Sequence, residues 1–207
     1  MSTRGPDPDA VIALFVEGVA AFAATSESVD LDRPACGAWS GSELIRHVAS
    51  VAEWYHQWLD RALEGDAERP FAVTEFPRRN DEAIHALAHE PTADVVASFV
   101  ERAEEYAKRV RPHWDLPYGY PGGTVTAGLH AGAGAAEWHL HTWDLARSAG
   151  ANHMPSAPGT LFRGVGACVA AAKGGLAGRG QAALVASAAV VLPWPQLLRA
   201  SGRRVRR

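Results

Sequence analysis

The sequence predicts an all-α protein, and three observations carry that prediction. Apolar residues recur at intervals of three and four through most of the first 150 positions. No good run of period-two alternation, the mark of a half-buried strand, occurs in that stretch. A helix-start signature stands at Ser40 and Glu43, where the hydroxyl can serve a free N–H of the first turn while the carboxylate reaches back. At 207 residues the chain can enclose a real core in one domain or one domain with an appendage. Its 47% apolar and 21% charged content excludes wholesale disorder.

The elements follow in order. Val11, Leu14, Phe15, Val19 and Phe22 lie at helical spacing and place the first helix over roughly Pro8–Ser26. A polar linker with Pro34 and Gly37 leads to the second helix, which opens at Trp39–Glu43 and runs to about Leu63. Its inward stripe reads Leu44, Val48, Val51, Tyr55, Trp58 and Leu59, with Trp54 beside it and His47 within it. Residues 64–77, charged and punctuated by proline, read as a crossover loop. A third helical region breaks at Pro91 into Asn80–His89 and Thr92–Val110, the second piece turning Val95, Phe99 and Ala103 inward. The segment Arg111–Gly123, rich in proline and glycine, ends that pattern.

The fourth helix begins near Thr124 or Thr126 and reaches Ser148, with Gly150 as its stop signal. Each internal glycine, such as Gly128 or Gly134, costs about 1 kcal/mol relative to alanine, so close helix–helix approach is the reason expected for them. They form no phosphate loop, because neither a preceding strand nor a following Lys-Ser/Thr is present. Residues 1–150 thus read as one helical domain and 151–207 as a small C-terminal helical extension. In the extension the pattern gives a helix at about 158–173, a glycine-rich turn at 174–180, a helix or short strand at 181–192 and a final short helix within Pro193–Ser201. Arg203–Arg207 reads as a frayed basic tail.

Composition excludes several classes. With 20 basic and 23 acidic residues the formal charge is −3, which gives no domain-wide basic field for nucleic acid. Nothing approaches the ~20 uninterrupted apolar residues of a membrane span, and Val11–Ala24 carries Glu17 where a secretory signal wants none. Cys36 and Cys168 match no metal-ligand or redox spacing, so a disulfide scaffold is excluded. A reducing compartment and a cytoplasmic location are expected.

The segment Glu137-Trp138-His139-Leu140-His141-Thr142-Trp143-Asp144-Leu145 is the most informative. Positions four apart on a helix share a face, so Glu137 and His141 stand one above the other, and Asp144 continues that face. At about 100° per residue His139 points elsewhere. An unpaired carboxylate on an inward face needs a cation or hydrogen-bond donors, and a divalent metal would supply the charge. His47 is the natural third ligand, and two histidines with one carboxylate suit zinc, nickel or ferrous iron. The competing reading is a hydrogen-bonded core histidine beside an ordinary helix-surface Glu/His pair. Of the remaining histidines, His56 reads as solvated or as an aromatic packing partner. His85, His89, His113, His130 and His153 read as structural or exposed. Trp39, Trp54, Trp58, Trp138 and Trp143 read as core and pocket walls.

These residues resemble a known family. Trp39-Ser40 with Glu43-Leu44-Ile45-Arg46-His47-Val48 resembles the helix start W-S-x-x-x-L-x-x-H-V/L of the DinB-like bundles. Glu137 with His141-Thr142-Trp143-Asp144-Leu145-Ala146 resembles their later E-x-x-x-H-x-W-D-L-A signature, the more specific of the two. Leu197–Arg203 is similar to the L-L-x-x-x-G-R close of many members, and Asn80 also fits. Together they resemble the mycothiol-dependent maleylpyruvate isomerase family across about the full length.

The resemblance implies an up-down four-helix bundle with a smaller C-terminal portion. It implies a divalent metal, usually zinc, held by His47, Glu137 and His141, with Asp144 either orienting a ligand histidine or packing between helices. Arg78, Arg79 and Arg163 are the candidates for substrate-binding arginines. The implied function is a thiol S-transferase or isomerase that uses mycothiol on a small electrophilic substrate. Two rivals stand beside it: a non-catalytic metal-binding bundle, dimeric through an exposed helical face, and a thiol-independent, metal-assisted hydrolase.

Overall fold

The structure is a computed structural model that describes residues 7–161 and 194–204. Helix α1 (Pro8–Ser26) starts where Asp7 accepts from the Asp9 N–H and Pro8 occupies a first-turn position that needs no donor. A two-stranded antiparallel ladder, β1 (Pro34–Cys36) with β2 (Trp39–Ser40), turns through Gly37 at φ +59° and feeds α2 (Gly41–Leu63). The reciprocal cap at the head of α2 is present: Glu43 N–H donates to Ser40 Oγ at 3.2 Å, and Ser40 N–H donates to Glu43 Oε2 at 2.8 Å. A 3₁₀ turn at Val73–Glu75 leads into α3 (Phe76–Ala86), followed by α4 (Thr92–Val110) and a second 3₁₀ turn at Arg111–His113. The hairpin β3 (Pro117–Tyr120) and β4 (Gly123–Thr126) precedes α5 (Ala127–Ser148), which Thr126 caps and Gly150 ends at φ +78°. A short helix α6 (Trp194–Ala200) completes the described elements.

Most of the sequence boundaries hold to within a residue or two, and the exceptions have physical causes. Helix α3 begins at Phe76, four residues before Asn80, and stops at Ala86 instead of His89. Pro77 had marked this stretch as loop, yet proline is at home in a first helical turn. Phe71 and Phe76 pack edge-on at 5.2 Å and both approach Trp54, which ties the segment to α2. The two hairpins escape the period-two test because their strands run only two to four residues. Residues 158–161 are helical, as expected for the start of the 158–173 helix. The rest of that helix, the 174–180 turn and the 181–192 element lie outside the described residues.

Helix α1 packs on α5 and α4, while α2 packs on α4, α3 and α5. Phe15 of α1 and Phe99 of α4 meet the Trp138 ring edge-on at 5.7 and 5.1 Å, and all three are fully buried. By length and composition alone α1 could cross a bilayer. In this fold its Val11, Leu14, Phe15, Val19 and Phe22 stripe is spent on the protein core instead. Glycines set the closest approaches. A Cβ at Gly18 would lie 2.9 Å from Trp138 Cβ, and one at Gly134 would lie 2.6 Å from the Tyr55 ring and 3.0 Å from the Phe15 ring. Gly128 and Gly134 of α5 therefore make room for aromatic rings, Trp114 over the first and Tyr55 and Phe15 over the second, while the close approach of α1 to α5 rests on Gly18 of α1.

This geometry decides between two opposing effects. Gly134→Ala gains about 1 kcal/mol of helix propensity, but overpacking against two buried rings costs about 1–3 kcal/mol. The variant is expected to unfold at lower urea than the parent; an equal or higher midpoint would show that the rings yield freely.

Candidate metal centre

The apolar stripe of α2 turns His47 inward, and the four-residue repeat of α5 stacks Glu137 beneath His141. Glu137 Oε1 lies 3.1 Å from His141 Nε2 and 3.7 Å from His47 Nε2. One potential ligand atom from each of the three falls within 4.8 Å of the others. The two imidazoles are buried, whereas the Glu137 side chain keeps 36% of its surface open. His47 Nδ1 is buried with no hydrogen-bond partner, and its ring lies against Trp39 at 4.8 Å between centroids. Two imidazole nitrogens and a carboxylate oxygen, converging with one side free, form a donor set that fits zinc, nickel or ferrous iron.

Without an ion, this cluster is strongly polarised. Burial opposes ionisation of Glu137, but hydrogen bonds from His141 and His47 hold its carboxyl well below the usual carboxylate range. Burial likewise opposes a charged His141, yet Asp144, Cys36 and Glu137 around it hold the imidazole well above its ordinary value. His47 goes the other way: desolvation lowers it, and Glu137 only partly compensates.

Behind His141 lies a second layer of charge. Asp144 Oδ2 is 3.0 Å from His141 Nδ1, and Arg203 donates to the same carboxylate through Nε at 2.8 Å and Nη2 at 2.5 Å. Asp144 is buried and Arg203 nearly so. At Arg203 this corrects the reading of a frayed tail; Arg204 is exposed, and residues 205–207 lie outside the described residues. A bidentate partner for a buried carboxylate, 59 residues away, fixes the chain just after α6 to the floor of the site. No local spacing announces such a pair; the one clue was Asp144 itself, a carboxylate on an inward face. Cys36, dismissed by its spacing, also arrives here: β1 places it so that ligand atoms of Cys36, His141 and Asp144 fall within 4.8 Å of one another. Cys168 and Arg163 lie outside the described residues.

Glu137 opens onto a cavity of about 450 Å³ between α2, α3 and α5. Its walls include Trp54, Trp58, Phe76, Tyr120, His130 and Asn80. His130 was expected to be structural or exposed; it is buried, 4.4 Å from the Tyr118 ring and 4.5 Å from the Tyr55 ring. Burial pushes it down to about 3, so the ring is neutral. Tyr118 donates to Tyr55 O at 3.1 Å and holds the β3–β4 hairpin, with Tyr120 at its end, against α2. His139 does point away from the cluster, bonding Leu14 O at 3.0 Å and His153 at 2.8 Å. His56 is buried, with Nε2 2.7 Å from Arg102 O and its ring edge-on to Tyr106 at 5.9 Å, so of its two expected roles it takes the aromatic packing partner's. His85, His89 and His113 are exposed. Arg78 and Arg79 do not line the cavity: Arg78 pairs with Glu75 and Glu82 on the surface, and Arg79 lies over the Phe71 ring at 4.4 Å.

Comparison with known proteins adds one finding. A family model described as the mycothiol maleylpyruvate isomerase N-terminal domain matches residues 13–146, which includes all three clustered side chains. Searches of curated proteins and of solved structures return no match to the chain.

The Arg203–Asp144 pair makes a sharp prediction. Arg203→Ala leaves a buried carboxylate with only His141 for company and is expected to cost about 2–4 kcal/mol in urea unfolding. Adding Asp144→Asn removes the stranded charge and is expected to restore part of that loss. A double variant no more stable than Arg203→Ala would show that the guanidinium acts through packing alone.

Proposed function

The chain belongs to the family of the mycothiol maleylpyruvate isomerase N-terminal domain, and we propose that it is a divalent-metal enzyme joining a low-molecular-weight thiol, mycothiol, to a small electrophile. The observation that carries this reading is the convergence of His47, Glu137 and His141 on one point at the wall of a 450 Å³ cavity. A cluster built only to satisfy a carboxylate would have no need of a side open to a cavity. In this reading the helices of residues 1–150 make an up-down four-helix bundle, 151–207 is its extension, and the protein works in the cytoplasm with neither nucleic acid nor membrane as partner.

His47, Glu137 and His141 are the proposed ligands, and zinc is the metal their chemistry favours. When bound, the ion would lower the pKa of a coordinated thiol and polarise a carbonyl. The protein supplies the rest. Asp144 accepts from His141 Nδ1–H, which fixes the tautomer and leaves Nε2 facing the carboxylate of Glu137. Arg203 holds Asp144 in that role. Trp39 sets the plane of His47, and the aromatic walls keep water away from the reacting carbon. The thiol sulfur bonds to one carbon of a conjugated C=C as that bond's π pair moves to the neighbouring carbon, which takes the proton the thiol gives up. The adduct either leaves as the transfer product or breaks the same C–S bond after the substrate has changed geometry, which is isomerisation.

Two measurements test this. Zinc-loaded and desalted protein is expected to carry about one metal per chain by elemental analysis, and Glu137→Ala to carry far less; full occupancy in that variant would remove Glu137 from the ligand set. Zinc-loaded protein is then expected to consume mycothiol in the presence of small electrophiles, measured by free-thiol titration, while metal-free protein does not. No consumption across a broad panel would leave a non-catalytic metal-binding protein. Substrate turnover without thiol loss would point to hydrolysis by a bound water.

A further inference from the structure

The face of α5 that carries the cluster continues back towards the start of the helix. His130, Ala133, Glu137, Leu140 and His141 follow helical spacing and all line the cavity between α2, α3 and α5. His130 stands two turns before Glu137, about 10 Å along the helix axis. The cavity therefore has the cluster towards one end and a lone imidazole towards the other. That imidazole is 3% exposed and boxed in by rings, with Tyr118 at 4.4 Å, Tyr55 at 4.5 Å, Tyr120 at 5.4 Å and Trp58 at 5.7 Å. A phenylalanine would fill such a box without carrying two polar nitrogens into it.

The two nitrogens have different surroundings. Nδ1 lies 3.4 Å from the Tyr106 hydroxyl. Nε2 has no hydrogen-bond partner among the described residues, yet it is not sealed from solvent as His47 Nδ1 and Asn80 Oδ1 are, so its open side belongs to the cavity that His130 lines. Burial pushes the ring down to about 3, so it is neutral and holds one proton. With the Tyr106 O–H donating to Nδ1, that proton sits on Nε2 and offers the cavity a donor. A buried N–H without a partner is unfavourable, and a ligand oxygen would satisfy it. Resting on the metal-enzyme reading above, we propose that His130 is a second binding point of the cavity, where its Nε2–H donates to an acceptor oxygen, a carbonyl or a carboxylate, at the end of the substrate away from the ion. In that reading a divalent ion outweighs the single charge of Glu137, so the floor attracts an anionic or electron-rich end. The neutral ring at the far end needs only a lone pair. Together the two points favour an elongated small molecule with an oxygen acceptor at each end.

Binding alone tests this. Isothermal titration of the full zinc-loaded chain compares 6-oxoheptanoate, whose carboxylate suits the ion and whose ketone lies at the far end, with heptanoate, the same chain without the ketone. The keto acid is expected to bind about two- to tenfold tighter, the worth of one neutral hydrogen bond. His130→Phe keeps a ring in the aromatic box and is expected to erase that advantage while leaving heptanoate little changed, a selective loss that a misfolded variant could not give. Equal affinity of the two acids in the parent chain, or a ketone advantage that survives in the variant, would overturn the proposal. A second readout does not depend on zinc. In metal-free chain labelled with nitrogen-15 histidine, the resonances missing from His130→Phe are expected to show a neutral ring protonated at Nε2 between about pH 5 and 8. Adding 2-heptanone is expected to shift Nε2 of His130 and not the ring of His85, which is exposed. A ring protonated at Nδ1, or no shift, would also overturn the proposal. If the ketone preference holds while mycothiol is not consumed, the enzyme reading falls and the His130 binding point stands; thiol consumption without the ketone preference has the opposite meaning.

Discussion

A carboxylate held between two imidazoles is the interaction on which the site depends. Glu137 is half-buried, and its Oε1 lies within 4 Å of both His141 Nε2 and His47 Nε2. Taking that charge out of water costs several kcal/mol unless positive charge or donors meet it. His141 supplies a donor because Asp144 and Glu137 on its two sides favour the charged, doubly protonated ring, and Asp144 can stay ionised in the interior because Arg203 donates to both its oxygens. The order is Arg203, Asp144, His141, Glu137, with alternating charge along it. Each member lowers the cost of burying the next, so removing one strands its neighbour.

The packing exists to hold this order in register. Helix α5 contributes three of the five polar side chains, and it lies close against α1 because Gly18 lets the two backbones approach at Trp138. The Tyr55 and Phe15 rings fill the space above Gly134, one turn before Glu137. A bulkier residue there would push α2 away from α5 and lengthen the reach from His47 to Glu137. Trp39, delivered by the small β1–β2 ladder at the capped start of α2, fixes the His47 ring from the opposite side. The helix cap and the site therefore share one short stretch, Trp39–His47, which is why the same residues mark both a helix start and a member of the cluster.

That overlap explains what the sequence made legible. Periodicity is a local property, so α1, α2, α4 and α5 could be read from spacing to within a residue or two. Glu137 and His141 share a face by the geometry of one helix, and His47 sits on an inward stripe. Their meeting across two helices could be expected only from that burial and from the family resemblance. The rest of the site is non-local. Arg203 reaches Asp144 across 59 residues, Cys36 comes from a three-residue strand, and Tyr120 comes from a hairpin too short for alternation to show. Pro77 misled the reading of α3 because one residue type both breaks helices and begins them.

The distribution of charge and aromatic surface then separates two jobs within one cavity. Charged groups gather on its floor, where Glu137 meets His47 and His141 and Arg203 meets Asp144, and Glu137 keeps the most open side chain of the five. The wall above is aromatic and aliphatic, with Asn80 and Ser201 among its polar members. In the proposed metal enzyme, a group that reached Glu137 and the histidines would first shed water against Trp54 and Trp58, and an ion held there would act in a medium of low polarity where its field is strongest.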